Sequence, residues 1–194
     1  MKEKLPRLPL ADWINLISIG ATTCVDNILF EFDGKKRRVL LGIRKQPPAQ
    51  GCLYPFGSLN QKNILSSDMV GGIVAKETGL SAVPIKQFGF YEKLYSETEH
   101  PEIREGLHNN CIAYLTRITG GKLKLDETHT GYRWITSIDE LPLPPYTKTL
   151  LEDSGVFTMS NEELMDKQPL DEAPKVIARK LDYRGLNFSK FKIK

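Results

Sequence analysis

Apolar and β-branched positions crowd residues 17–32, ISIGATTCVDNILFEF, and predict a strand. DGKK (33–36) follows with an Asp-Gly turn signal, and RRVLLGIRK (37–45) predicts the returning strand of a hairpin. Residues 46–63 hold Pro47, Pro48, Pro55 and several glycines, a loop composition. SSDMVGGIVAKETGL (66–80) predicts a helix, with Ser66 or Ser67 as N-cap and Gly79 as its stop. IKQFGFYEKLY (85–95) and NNCIAYLTRI (109–118) predict strands on either side of an acidic loop. YRWITSIDEL (132–141) predicts a short strand entering a turn, and PYTKTLLEDSG (145–155) a closing helix. Residues 1–15 form an entry segment with Leu10, Trp13 and Ile14 available for docking.

Strands on both sides of one central helix, with a second helix behind, predict an α/β (α+β) chain or a sheet sandwiched between helices. The character changes near residue 158. MSNEELMDKQPLDEAP is acidic and proline-marked, and residues 175–194 then hold seven Lys or Arg against one Asp. The expected division is therefore a domain over 1–157 and a C-terminal appendage over 158–194, partly disordered or docked in a dimer. No internal repeat or low-complexity tract interrupts the chain.

Composition narrows the class. A chain of 194 residues, 40% hydrophobic and 26% charged, is one globular domain of ordinary size with room for a substantial core. A net charge of +3 does not by itself call for a polyanionic partner. Cys24, Cys52 and Cys111 sit among apolar neighbours without a Cys-x-x-Cys spacing, which predicts buried, reduced thiols. No run reaches the ~18 apolar residues of a membrane span and no export signal opens the chain, so the expectation is a soluble cytoplasmic protein without a membrane partner.

Three separated stretches, LLGIRKQPPAQG (40–51), PFGSLNQKN…AKETGL (55–80) and LDETHTGYRWIT (125–136), resemble the Nudix hydrolase superfamily, and within it the GDP-mannose mannosyl hydrolase branch. The resemblance runs from about residue 10 to 150 and implies a Nudix-type α/β/α sandwich with a mixed sheet, assembled as a homodimer. The Nudix box is degenerate. Anchoring it on Gly79-Leu80 places its last carboxylate on Glu77, the preceding one on Lys76, the Arg-Glu pair on Gly72-Ile73, the first Glu on Ile64, and the leading Gly on Ser58 beside Gly57. Thr128 stands where the branch has a metal-binding Gln, and Leu59 where it has a second substrate-binding Arg.

What the branch implies at the retained positions is specific. His129 matches the base that activates water at the anomeric carbon, and Arg44 matches the arginine that steadies the departing nucleoside diphosphate, with Tyr132 also at the substrate. Guanidinium suits that role because it is planar and offers paired donors to phosphate oxygens. A histidine in a polar loop titrates near neutrality. Mg²⁺ takes oxygen ligands and bridges carboxylates to phosphates, so Glu77, with backbone carbonyls at Gly57 or Ser58, would hold it weakly and with the substrate's help. Asp68, Asp126 and Glu127 are alternative carboxylates.

Each of these residues also has a plainer role: Glu77 a solvated surface carboxylate, His129 a loop residue, Arg44 an exposed strand end. His100 and His108 lack the spacing of a metal pair. The basic tail reads as a solvated charge run, although Tyr183, Phe188 and Phe191 also permit stacking on nucleic acid. Two functions stand. One is metal-assisted hydrolysis of a nucleoside diphosphate-linked substrate, foremost a GDP-sugar, with His129 as base and activity weakened. The other is a catalytically silent module that binds a nucleotide, protein or nucleic acid.

Overall fold

The computed structural model describes residues 9–33, 36–98, 100, 102–103, 106–165 and 177–193. Its first element is helix α1 (Leu10–Ile19), so the expected strand at 17–32 opens too early; strand β1 runs Thr22–Asp33. Trp13, Ile14 and Ile17 recur at helical spacing, a period that the β-branched composition masked. Ile17 is the buried anchor of α1, Trp13 and Ile14 are half-buried, and Leu10 is 60% exposed.

β1 turns back as β2 (Lys36–Arg44), antiparallel with Leu29 opposite Leu40; Gly34 and Lys35 of the turn lie outside the described residues. Short strands β3 (Leu53–Tyr54) and β4 (Phe56–Leu59) follow, then helix α2 (Ser66–Thr78) and two long strands, β5 (Leu80–Tyr95) and β6 (Leu107–Gly121). β7 (His129–Ile135), α3 (Pro145–Ser154), α4 (Asn161–Met165), β8 (Ile177–Asp182) and a 3₁₀ turn (Phe188–Phe191) complete the described chain.

The sheet runs β3-β2-β1-β6-β5-β8, with β4 on β1 and β7 on β2. β1–β6 and β5–β8 are parallel and the other pairs antiparallel, a mixed sheet. Strand period sorts the two faces. Val25 and Leu29 of β1 join Leu40, Phe56 and the apolar side of α2, while Cys24, Ile28 and Phe30 join Tyr146, Leu150 and Leu151 of α3. Helices therefore cover both faces, the α/β/α sandwich that was expected.

The N-cap of α2 is Leu65, without a side-chain cap; the Ser66 hydroxyl instead bonds the Tyr114 hydroxyl at 2.7 Å. Gly79 ends the helix in the left-handed conformation, φ 69°. Gly71 and Gly72 cost the helix about 0.5–1 kcal/mol each relative to Ala. Burial of Met69, Val70, Ile73 and Val74, at about 1.5–3 kcal/mol each, outweighs that cost. Close packing does not explain Gly72, because a Cβ there would meet nothing within 4 Å.

The described part of the C-terminal segment packs onto the same body. β8 lies parallel to β5, and Arg179 holds Asp153 of α3 through two bonds of 2.6 Å each. Tyr183 and Phe188 are buried and Phe191 half-buried in the α3-side core, so stacking of these rings on nucleic acid is corrected: their faces are taken up by packing. The acidic stretch 166–176 lies outside the described residues. Among the described residues no helix is long and apolar enough to cross a membrane.

Candidate functional site

β7 pairs with β2 so that His129 stands opposite Arg44, with an irregular register at Ile43/Arg44. Gly42, two residues earlier on β2, makes room for the imidazole: a Cβ there would come within 2.8 Å of His129 Nε2. The ring also packs on Phe56 at 4.8 Å between centroids. His129 is thus the first residue of a strand and its side chain is 7% exposed, which corrects the polar-loop expectation. Burial lowers its pKa, and the hydrogen bond and charge of Asp126 only partly restore it, so the imidazole is neutral at pH 7.

Asp126 orients that ring. Its Oδ1 lies 3.3 Å from His129 Nδ1 and accepts from the Thr128 amide at 3.0 Å and the Thr128 hydroxyl at 2.5 Å. Nδ1 lies nearer still to the Thr128 hydroxyl oxygen, at 2.9 Å, so Nδ1–H is held by Thr128 and Asp126 together and Nε2 is the nitrogen left to take a proton. Burial would raise the Asp126 carboxyl, but the Thr128 bonds and His129 hold it below the usual carboxylate range.

The same loop reaches the end of α2. The Lys124 and Asp126 amides donate to the carbonyls of Thr78 and Glu77 at 2.8 and 3.0 Å. This brings Asp126 beside Glu77, which is 5% exposed and accepts from the Gly57 amide at 3.1 Å. Glu77 is therefore no solvated surface carboxylate. Burial, with the charge of Asp126 next, pushes its pKa up to about 8. Gly57 and Ser58 lie on β4 opposite Asp26 and Val25, and a Cβ at Gly57 would collide with Asp26 Oδ1. Glu77, Asp126, Asp26 and the β4 backbone thus converge on one corner, under a single carboxyl that is hard to ionise.

A charged layer lies behind that corner. Asp26 and Lys93 are 5% and 3% exposed, with Oδ2 and Nζ 3.0 Å apart, and the Tyr146 hydroxyl donates to Asp26 Oδ2 at 2.5 Å. Burial is the largest influence on Asp26 and would raise it, but the Lys93 charge together with hydrogen bonds from Cys111, Tyr146 and Lys93 leaves the carboxyl lowered. Burial opposes the Lys93 charge in turn, but the Asp26 charge outweighs it with help from its other neighbours, and the ammonium is held well above its usual value. Its Nζ sits 4.1 Å from the Tyr146 ring centroid and 5.9 Å from that of Tyr54. Arg44 lies 4.9 Å over the same Tyr54 ring and donates to the Gln46 and Pro47 carbonyls at 3.3 and 3.4 Å. Cys24 and Cys111 are free and buried in register beside Asp26. Their sulfurs and the carboxylate are close enough for a metal, but Lys93 already supplies the positive charge there.

Sequence reasoning passed over Asp26, Lys93 and Tyr146. The available signal was one Asp within CVDNILF and one Lys within FYEKLY, charges that an apolar strand buries only when paired.

The remaining positions separate cleanly. Ile64 and Ile73 pack into the α2-side core, and Lys76 and Gly72 face outward. Leu59 is 41% exposed, as is Tyr132, which pairs with Gly42 beside the His129 ring. Among the alternative carboxylates Asp126 joins the site, Asp68 sits at the opposite end of α2 from Glu77, and Glu127 is exposed. His108 pairs with Glu92 at 3.0 Å.

No family model and no curated protein matches the sequence. Solved structures do match the fold. A Nudix hydrolase from Nitrosomonas europaea superposes with a TM-score of 0.55 at 13% identity, over 82% of this chain and 79% of that one. The Nudix domain of Shewanella oneidensis NrtR, crystallised with ADP ribose, gives 0.55 at 15% identity over 76% and 97%. A MutT Nudix hydrolase from Burkholderia pseudomallei gives 0.55 at 22% identity over 69% and 98%. Mixed sheet, flanking helices and these superpositions together establish that the chain has the fold of the Nudix hydrolases.

Proposed function

We propose that the protein is a Nudix-type hydrolase of a nucleoside diphosphate sugar, foremost a GDP-sugar, working on a reduced metal site. The observation that carries this is Asp126, which orients His129 on one side and crowds Glu77 on the other. A buried carboxyl raised to about 8 beside a second carboxylate is the environment that a divalent cation relieves, so the donors fit Mg²⁺. Glu77 and Asp126 would hold it with carbonyl oxygen at Gly57 or Ser58, and phosphate oxygens of the substrate would complete the set. When bound, the ion supplies positive charge against the diphosphate leaving group.

The chain's own residues do the rest. His129 Nε2 takes the proton of a water attacking the anomeric carbon, while Thr128 and Asp126 together hold Nδ1–H and the Asp126 charge favours the imidazolium as it forms. Arg44 exchanges its two backbone carbonyls for phosphate oxygens, steadied by the Tyr54 face and backed by the Lys93 charge. Tyr132, exposed beside Gly42, borders the sugar.

A second reading, binding without hydrolysis, is favoured by Ile64 and Ile73, apolar where box carboxylates are expected. One experiment separates the two: melting temperature with GDP-mannose, GDP-glucose and ADP-ribose, each with and without Mg²⁺, followed by a product assay. A Mg²⁺-dependent shift with released sugar is the expected result. A shift without turnover establishes a nucleotide-binding module, and no shift with any nucleotide defeats the hydrolase and leaves binding of a protein or nucleic acid.

A further inference from the structure

Arg44 closes the loop that follows it. Its amide donates to the Cys52 carbonyl at 3.1 Å, its carbonyl accepts from the Gly51 amide at 2.8 Å, and its guanidinium donates to the Gln46 and Pro47 carbonyls. The direction of the guanidinium therefore follows the shape of residues 45–52. Local preference does not favour that shape: Ala49 lies in the left-handed region at φ 64°, which a Cβ disfavours. The C-terminal segment supports it from outside. The Ile193 amide donates to the Gly51 carbonyl at 3.0 Å, Lys192 forms an antiparallel bridge with Cys52, and the Cys52 thiol donates to the Phe188 carbonyl at 3.4 Å. A second route reaches Arg44 through rings. The guanidinium lies 4.9 Å over the Tyr54 ring, the Tyr54 and Tyr95 hydroxyls are 2.6 Å apart, and both tyrosines are buried. Tyr95 is flanked in turn by two rings of the C-terminal segment, Tyr183 at 5.5 Å and Phe188 at 6.2 Å between centroids. Phe188 belongs to both routes, through its carbonyl to the loop and through its ring to the tyrosine pair.

We propose that Phe188 is a positioning residue for Arg44, so that the C-terminal segment sets how tightly the site grips a diphosphate. This rests on the phosphate role given above to Arg44. A guanidinium already held in one direction loses less freedom when phosphate binds, and the affinity is higher by that amount. Phe188 touches the loop and Tyr95, and it acts on the phosphate through them. Shortening its side chain leaves the Tyr95 ring uncovered on that side and lets the segment's backbone move away from Cys52. Loop and Tyr54 then relax together, and Arg44 meets phosphate from a spread of directions.

Calorimetric titration of the full chain with inorganic pyrophosphate in Mg²⁺ tests this, on the wild type, Phe188→Leu, Arg44→Ala and the double variant. Phe188→Leu keeps the site apolar and removes the ring. Fixing one long side chain is worth roughly a two- to tenfold change in affinity. Phe188→Leu is therefore expected to weaken pyrophosphate by about that factor with the number of sites per chain unchanged, and to add nothing once Arg44 is Ala. Tyr95→Phe cuts the ring route while leaving Phe188 in place, and its loss should be smaller and in the same direction. A Phe188→Leu variant that binds as the wild type does, while Arg44→Ala binds more weakly, overturns the positioning role alone. So does an equal loss with and without Arg44, or a loss of sites at constant affinity, which is what a merely destabilised fold gives. Pyrophosphate affinity that survives Arg44→Ala removes the phosphate role itself, and the positioning role with it.

Discussion

Helix α2 and the β2–β7 corner meet at the Asp126 loop, whose amide bonds the Glu77 carbonyl and whose carboxylate lies against His129, yet their inward side chains differ in kind. On α2 the inward positions are Met69, Val70, Ile73 and Val74, and Glu77 is the one acidic side chain it buries. At the corner, Arg44, Asp126 and His129 are polar and held by one another, by Thr128 and by the loop carbonyls, with Gly42 left bare so that the imidazole fits. The helix serves as packing that delivers one carboxylate; the corner gathers the groups to which the proposed mechanism gives the proton transfer. Carboxylates on a helix can be exchanged for apolar residues with a gain in packing, whereas a corner assembled from two strand ends and a loop loses its geometry when any member changes.

The largest expected effect tests the charged layer beneath the corner. Asp26→Ala strands the buried Lys93 ammonium and is expected to destabilise by about 3–5 kcal/mol in urea denaturation. Asp26→Leu with Lys93→Met together should recover most of that loss; equal instability in the double variant would show that packing, rather than the stranded charge, is responsible.

Next comes the carboxylate that the helix delivers. A carboxyl whose folded pKa is about 8 against an ordinary 4.5 keeps its proton in the folded state and loses it in the unfolded state between those values. Metal-free protein should therefore lose stability as pH rises from about 4.5 to 8, by a few kcal/mol at roughly 1.36 kcal/mol per pKa unit. Glu77→Gln should flatten that decline, and Mg²⁺ with nucleotide should flatten it in the wild type. A Gln variant with an unaltered pH profile would place the titration elsewhere.

Turnover is the measure at the corner. His129→Ala is expected to cut it at least about a hundredfold, roughly 2.7 kcal/mol, the usual scale for a general base. An unchanged rate would remove His129 from the chemistry. The smallest effect belongs to the helix: Gly72→Ala, at a position with open space around it, should stabilise by about 0.5–1 kcal/mol without altering turnover. A loss of activity there would give α2 a functional role beyond scaffolding.

The sequence alone determined what local rules govern. Turn chemistry placed the β1–β2 hairpin and Gly79 the end of α2, while the order of the matching stretches implied the sandwich and singled out Arg44 and His129 without showing that they pair. Where two local signals competed, the stronger composition misled: β-branched Ile17 and Ile19 belong to α1 because Trp13, Ile14 and Ile17 share a face that packing rewards. Tertiary structure decided the rest. Burial of Glu77, the union of Asp26 with Lys93 across 67 residues, and the return of residues 177–193 onto β5 and the Arg44 loop all join positions far apart in the chain. Charge state depends on what surrounds a group in space, and periodicity along the chain carries no information about neighbours that distant.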